Sequence, residues 1–131
     1  MSSESDLNYL LKSMNPVLHD GEFVFCTLSQ NQADRLPVKP VSVFRENEGV
    51  SVVLSREQAE QFGISYNYIS RMIVLTVHSS LDAVGFLAAV TGKLAEHGIS
   101  VNPVSAYFHD YLFVPSPKAE EAIEILAQFT E

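Results

Sequence analysis

From Met72 onward the chain sets out its elements in one unambiguous order. Met72-Ile73-Val74-Leu75-Thr76-Val77 is a nearly continuous apolar run of the kind an interior strand shows, and His78-Ser79 closes it. Val84, Leu87, Ala88, Val90, Thr91, Leu94 and Ala95 then fall on one helical stripe, with Asp82 placed as N-cap and Gly98 placed to stop the helix. Ile99 to Phe108 returns to strand character. Pro103 within it has no amide hydrogen for a ladder, so it belongs at an edge or a bulge. Tyr111 to Val114 follows after only His109-Asp110, a connection that demands antiparallel pairing with the strand before it. Ser116-Pro117 opens a last helix whose buried stripe is Ala119, Ala122, Ile123, Leu126 and Ala127. The order β-α-β-β-α is that of the split βαβ, ferredoxin-like fold without its final strand, so another segment must fill that place.

The first half is a similar but incomplete set. Leu7, Leu10, Leu11 and Met14 share one helical face, and the helix ends before Asn15-Pro16 because proline disfavours helix in its predecessor. Glu22 to Thr27 reads as a strand after Gly21, and Ser29 to Pro40, with two prolines, reads as a loop. Val41–Arg45 and Val50–Leu54 flank the turn cluster Glu46-Asn47-Glu48-Gly49 and predict an antiparallel hairpin. Ser55 caps a short helix as in a capping box with Gln58, and Gly63 closes it. The expected class is α+β: two pseudo-repeated halves, 1–68 and 69–131, that exchange a strand, each with an antiparallel sheet and helices packed on one face.

Bulk properties bound the partners. A chain of 131 residues, 47% apolar, can bury one good core or two small ones. Eight basic against sixteen acidic side chains give a net charge of −8, which repels nucleic acid and anionic membrane surfaces on average. The sequence start has no signal-peptide pattern and no apolar run approaches a membrane span, so a cytoplasmic protein is expected. Cys26, the only cysteine, stands in the apolar run Phe23 to Cys26 and reads as a buried, inert thiol.

The segment SSLDAVGFLAAVTGKLAEHGIS, residues 79–100, resembles the first loop and helix of ACT domains, small regulatory modules that bind amino acids in many metabolic enzymes. The blocks LLKSMNPVL, GEFVF, FRENEGVSVVL and SAYFHDYLFVP extend the likeness to a group of small stand-alone bacterial ACT-like proteins built of two such halves. That group carries a His-Asp-His run before its Phe-Val-Pro, whereas here His109-Asp110 is followed by Tyr111. The resemblance implies a ligand held against the loop between the first strand and first helix, with paired domains forming a homodimer or a larger homo-oligomer.

In this chain that loop is Ser79 to Gly85, and the candidate ligand-binding residues are Ser80, Leu81, Asp82, Ala83, Val84, Gly85 and Asn102. Amides at a helix start favour a carboxylate, the Asp82 side chain accepts from an ammonium group, and Gly85 lets another backbone approach. Asn102, where the second strand of an ACT domain faces the ligand, offers an amide to either end of an amino acid. A plainer reading also exists: Asp82 only caps the helix, Gly85 only permits packing, and Asn102 only satisfies a bulge at Pro103. His78, His97, His109 and Asp110 invite metal or catalysis, but no HxxxH or CxxC spacing supports it. Glu46, Glu48, Glu57 and Glu60 read as solvated surface. With no phosphate loop, nucleophile elbow or carboxylate pair, the expected function is amino-acid binding and regulation, without catalysis, cofactor or metal. The alternatives are a ligand-free interaction module, its loop filled by Leu81 and Phe86, and a small metal- or histidine-dependent enzyme.

Overall fold

A computed structural model of the chain describes residues 6–77, 81 and 83–130. In chain order the elements are α1 (Leu7–Ser13), β1 (Pro16–Leu18), β2 (Phe23–Leu28), α2 (Gln30–Asp34), β3 (Ser42–Arg45), β4 (Val50–Ser55) and α3 (Arg56–Gln61). They continue with β5 (Asn67–Leu75), α4 (Phe86–Glu96), β6 (Asn102–Ser105), β7 (Asp110–Pro115) and α5 (Ala119–Ala127). These elements form two compact units, residues 21–70 and residues 1–20 with 71–131.

In the unit of residues 21–70 the strands run β3-β4-β2 and then the start of β5, all antiparallel neighbours. The predicted hairpin is present, with Arg45 opposite Val50. Its core is Val24, Cys26, Leu28, Val50, Val52, Leu54 and Ala59, the alternate residues of β2 and β4 closed by one helical alanine. Ser55 caps α3 by accepting from the Gln58 amide, and Gly63 at φ 66° closes it while the Ile64 amide reaches back to the Ala59 carbonyl. One expectation fails in this unit. The stretch from Ser29 to Pro40 is not all loop, because Ser29 and Gln32 form a reciprocal capping box that starts the five-residue α2. The last strand is irregular: Tyr68 has φ 58°, the β2·β5 register shifts between Phe23 and Phe25, and the buried Ser70 hydroxyl donates to the Phe23 carbonyl.

In the unit of residues 1–20 and 71–131, β1 fills the vacant place beside the strand of the apolar run. Pro16 pairs with Leu75, Val17 with Val74 and Leu18 with Ile73, antiparallel, and β7 and then β6 follow on from β5. The chain's own first segment is therefore the missing strand. α1 ends at Ser13 as expected, and its Leu10 and Met14 enter the same core as Ile73, Leu75, Leu112 and Val114. Met72 and Val74, on the alternate positions, are buried as well, which is why the run lacks polar alternation.

Three details differ from expectation here. α4 begins at Phe86, with Gly85 rather than Asp82 in the N-cap position, so Val84 precedes the helix and is 83% exposed while Phe86, Val90 and Leu94 are buried. The turn between β6 and β7 spans Ala106 to His109 rather than His109-Asp110, and Asp110 already belongs to β7 opposite Ser105. Along α5 the fully buried residues are Ala119, Ala122, Ile125 and Leu126, so Ile125 takes the place expected for Ala127, which is half-buried. Pro103 pairs with Leu112 on the edge strand β6, the edge outcome of the two it allowed.

Candidate functional site

The site grows from the way β5 hands over to α4. Beyond Leu75 the strand is anchored at Thr76, whose amide and hydroxyl both donate to the Asn15 carbonyl at 3.2 and 2.8 Å. At the other end Gly85 holds φ 86°, a left-handed conformation that suits glycine, and the Ala89 amide donates to its carbonyl at 2.9 Å to begin the helical ladder. Phe86 is the first helical residue and is buried in the core, which ties the helix start to the sheet. Glycine has no side chain, so the N-cap residue itself contributes no side-chain hydrogen bond to the first amides of α4. Those amides carry the positive end of the helix dipole.

A second piece of backbone comes to the same place. The Ala106 amide donates to the His109 carbonyl at 3.0 Å, closing the β6–β7 turn and leaving Tyr107 and Phe108 exposed at its tip. Their rings meet edge to face at 5.0 Å. At the base of the turn the Ser105 hydroxyl donates to Asp110 Oδ1 at 2.7 Å, and Asp110 is only 6% exposed. His109 lies beside it, its ring edge-on to Tyr111 at 6.4 Å. Its Nδ1 is buried, out of reach of solvent, and has no hydrogen-bond partner among the described residues.

Between the two lies a cavity of about 150 Å³. Leu81, Ala83 and Gly85 line it with the first turn of α4 on one side, and Ser105, His109 and Asp110 line it on the other. One side is thus the start of α4, the positive end of its dipole, and the other carries the acidic Asp110, an arrangement that suits a ligand bearing both charges.

Of the residues singled out in the sequence, Ala83 and Gly85 line this cavity and Leu81 stands at its rim, 66% exposed. Val84 points to solvent, and Asn102 is exposed on β6 opposite Phe113, away from the cavity. Ser80 and Asp82 lie outside the described residues, as does His78. Phe86, buried in the core, and Leu81 both line the cavity. The reasoning from sequence weighed His109 and Asp110 only as metal or catalytic groups and as turn residues, and it passed over Ser105. A two-residue connection would have placed His109-Asp110 at an exposed tip, whereas the longer turn carries them inward. His97 serves only the end of α4, its Nδ1 3.0 Å from the Lys93 carbonyl oxygen. Among the described residues no group of three His, Cys, Asp or Glu is placed to hold a metal ion.

Two family models match, both described as ACT domain, over residues 2–71 and 67–128. Among curated proteins none matches the sequence. Among solved structures, the chain is similar to a protein of unknown function from Vibrio cholerae, a possible transport protein, with 45% identity over 95% of this chain and 96% of that one, at a TM-score of 0.87. A protein from Agrobacterium tumefaciens shares the fold at 19% identity over 89% of each chain, with a TM-score of 0.70. The ligand-free regulatory subunit of aspartate kinase from Thermus thermophilus shares it at 11% identity over 92% of this chain and 99% of that one, with a TM-score of 0.66. Two successive ACT domain matches over nearly the whole sequence, on two units of ferredoxin-like strand order, show that the chain belongs to the ACT domain family.

Proposed function

We propose that this protein binds a free amino acid in the cavity between the Leu81–Gly85 loop and the β6–β7 turn, and that it acts as a regulatory module without catalysis of its own. Membership in the ACT domain family supports a regulatory, ligand-binding role. The observation that supports the choice of ligand is that the start of α4, whose N-cap Gly85 has no side chain, and the acidic Asp110 line the same cavity, the first suited to a ligand carboxylate and the second to an ammonium group. Ser80 and Asp82 belong to the same loop and are proposed to complete the site; Asn102 would join it only by contact with a second copy. No helix among the described residues is long and apolar enough to cross a membrane. The proposed setting is cytoplasmic.

A thermal-shift screen of the twenty amino acids, followed by calorimetry on each hit, tests this reading. At least one amino acid should raise the melting temperature, because a ligand that binds only the folded state stabilises it by mass action. Ala88→Leu should abolish the effect, since Ala88 lines the cavity from a solvent-facing helical position where leucine is well tolerated by the helix. A screen without a single binder would sink the proposal.

Exposed apolar residues on the edge strand of the 21–70 unit favour an additional role in self-association. Val43 and Phe44 on β3 are 54% and 72% exposed, and an uncovered edge invites pairing with another strand. A homodimer or larger homo-oligomer is therefore proposed, and sedimentation at micromolar concentration should show it. A monomeric mass would contradict it.

A further inference from the structure

In the unit of residues 21–70, the ends of α2 and α3 frame an open groove of about 370 Å³. Leu28, Leu36, Pro37, Phe62 and Ile64 form its apolar wall, and the Phe62 ring is left exposed to water. The polar lining is Asn31, Gln32 and Arg35. Arg35 is the one charged group among the described residues that line the groove, a cation in a chain whose net charge is −8. Its guanidinium has no ion pair or hydrogen bond among the described residues. Asp34 on α2 and Glu60 on α3 are held by other partners: Asp34 Oδ1 accepts from Gln30 Nε2 at 2.8 Å, and Glu60 Oε2 accepts from Arg56 and Tyr66. The Ser29 amide occupies Gln32 Oε1 at 2.8 Å, which leaves the amino end of that side chain as a donor. A cationic fork and an amide donor thus border an apolar wall, and no carboxylate among the lining residues is there to receive an ammonium group.

We infer that this groove is a second ligand site, for an aromatic monocarboxylate without an amino group, whose carboxylate pairs with Arg35 and whose ring packs against Phe62. A guanidinium holds a carboxylate through two parallel hydrogen bonds, which fixes orientation as well as charge. Contact between the two rings adds to the gain from covering apolar surface. A free amino acid is selected against, because its ammonium group would come beside the Arg35 cation with no anion to meet it. The inference is independent of the function proposed above, since the two linings have no residue in common.

NMR titration of the intact protein with phenylacetate, its uncharged analogue phenylacetamide, and phenylglycine, which adds an amino group to the same skeleton, tests the inference. Phenylacetate should shift the backbone amides of Leu36, Phe62 and Ile64 and bind there about tenfold more tightly than either analogue, the worth of a charge-assisted pair. Arg35→Gln should weaken phenylacetate about tenfold and leave phenylacetamide as it was. The unliganded variant should melt with wild type, because the exposed Arg35 side chain has no partner to lose. Phe62→Leu should weaken the acid and the amide alike. Equal affinity for phenylacetate and phenylacetamide, tighter binding of phenylglycine at these amides, full affinity in Arg35→Gln, or no shift at Leu36, Phe62 and Ile64 overturns the inference. Each of those outcomes leaves the amino-acid reading of the cavity beside α4 intact, and an amino-acid screen without a binder leaves this groove's chemistry standing.

Discussion

Ser105 and Asp110 face each other across the rung that closes the β6–β7 hairpin, and the serine hydroxyl donates to Asp110 Oδ1 over 2.7 Å. A carboxylate that is 6% exposed depends on such donors, because water is not there to replace them. Ser105→Ala removes one and should cost about 1–3 kcal/mol of unfolding free energy. Urea denaturation read by circular dichroism measures it as a lower midpoint at unchanged slope. An unshifted midpoint would show that the other contacts of Asp110 suffice.

Two glycines should respond to alanine in opposite directions. A Cβ on Gly49 would stand 2.9 Å from the Leu28 carbonyl oxygen and 3.3 Å from Thr27 Oγ1, and a backbone oxygen in a paired strand cannot retreat. Gly49→Ala should therefore destabilise the 21–70 unit. Gly92 sits inside α4 on an exposed position with open space around its Cα, so Gly92→Ala should stabilise by about 0.5–1 kcal/mol through helix propensity and unfolded-state entropy. Melting temperatures of the two variants moving the same way would contradict the pair of arguments.

Cys26 lies on β2 at 6% exposure within the core of its unit, and burial pushes its thiol above the ordinary value of 9.0. Both effects suppress the thiolate that attacks an alkylating reagent. Iodoacetamide should label it slowly in the native protein and rapidly in denaturant. Labelling at the rate of a free thiol under native conditions would mean that β2 opens readily.

Much of this architecture was legible because burial writes itself into period. The Met72–Val77 run and the Leu10/Met14 face announced themselves, and the hairpin around Glu46 to Gly49 combined two β-rich runs with turn chemistry. β1 was not legible from its own three residues, Pro16 to Leu18, which are too few to show alternation. Only the vacancy left by β-α-β-β-α required such a strand. α2 is likewise too short for a periodic stripe, although the Ser29–Gln32 capping box was present in the sequence, overshadowed by Pro37 and Pro40.

The candidate site divided along the same line. The loop from Leu81 to Gly85 could be placed because a strand and a helix bracket it. The hairpin side could not, since whether His109 points outward or inward depends on one or two residues of turn length, and sequence does not resolve that. The capping position of α4 was misjudged for a related reason. Gly85 in the left-handed region starts the helix without a side-chain cap, and Phe86, outside the expected stripe, anchors it.

The last prediction concerns Arg56, which donates to Glu22 Oε1 at 2.9 Å, to Glu60 Oε2 at 3.2 Å and to the Tyr66 hydroxyl oxygen at 3.2 Å, while that hydroxyl donates to Glu60 Oε2 at 2.7 Å. The Tyr66 hydroxyl first and Arg56 second hold the Glu60 carboxyl below its ordinary 4.5, and Glu22, Tyr66 and Glu60 together raise the guanidinium far above any accessible pH. Arg56 stays charged throughout, so it is the carboxyl groups that make the network pH-dependent, and Glu60 is the one whose value is lowered by named partners. A carboxyl whose folded value lies below its unfolded value adds stability above the unfolded value, and that contribution disappears as pH falls through the folded one. The advantage of wild type over Glu60→Gln in urea midpoint should thus be present at pH 6, shrink below about pH 4.5 and vanish at still lower pH. It should also be modest and reduced by salt, because the pair is open to solvent. Tyr66→Phe removes the larger of the two causes and should raise the Glu60 titration midpoint followed by carboxyl carbon NMR. A midpoint already at or above the ordinary value in the wild-type protein would show that this network does not persist in solution.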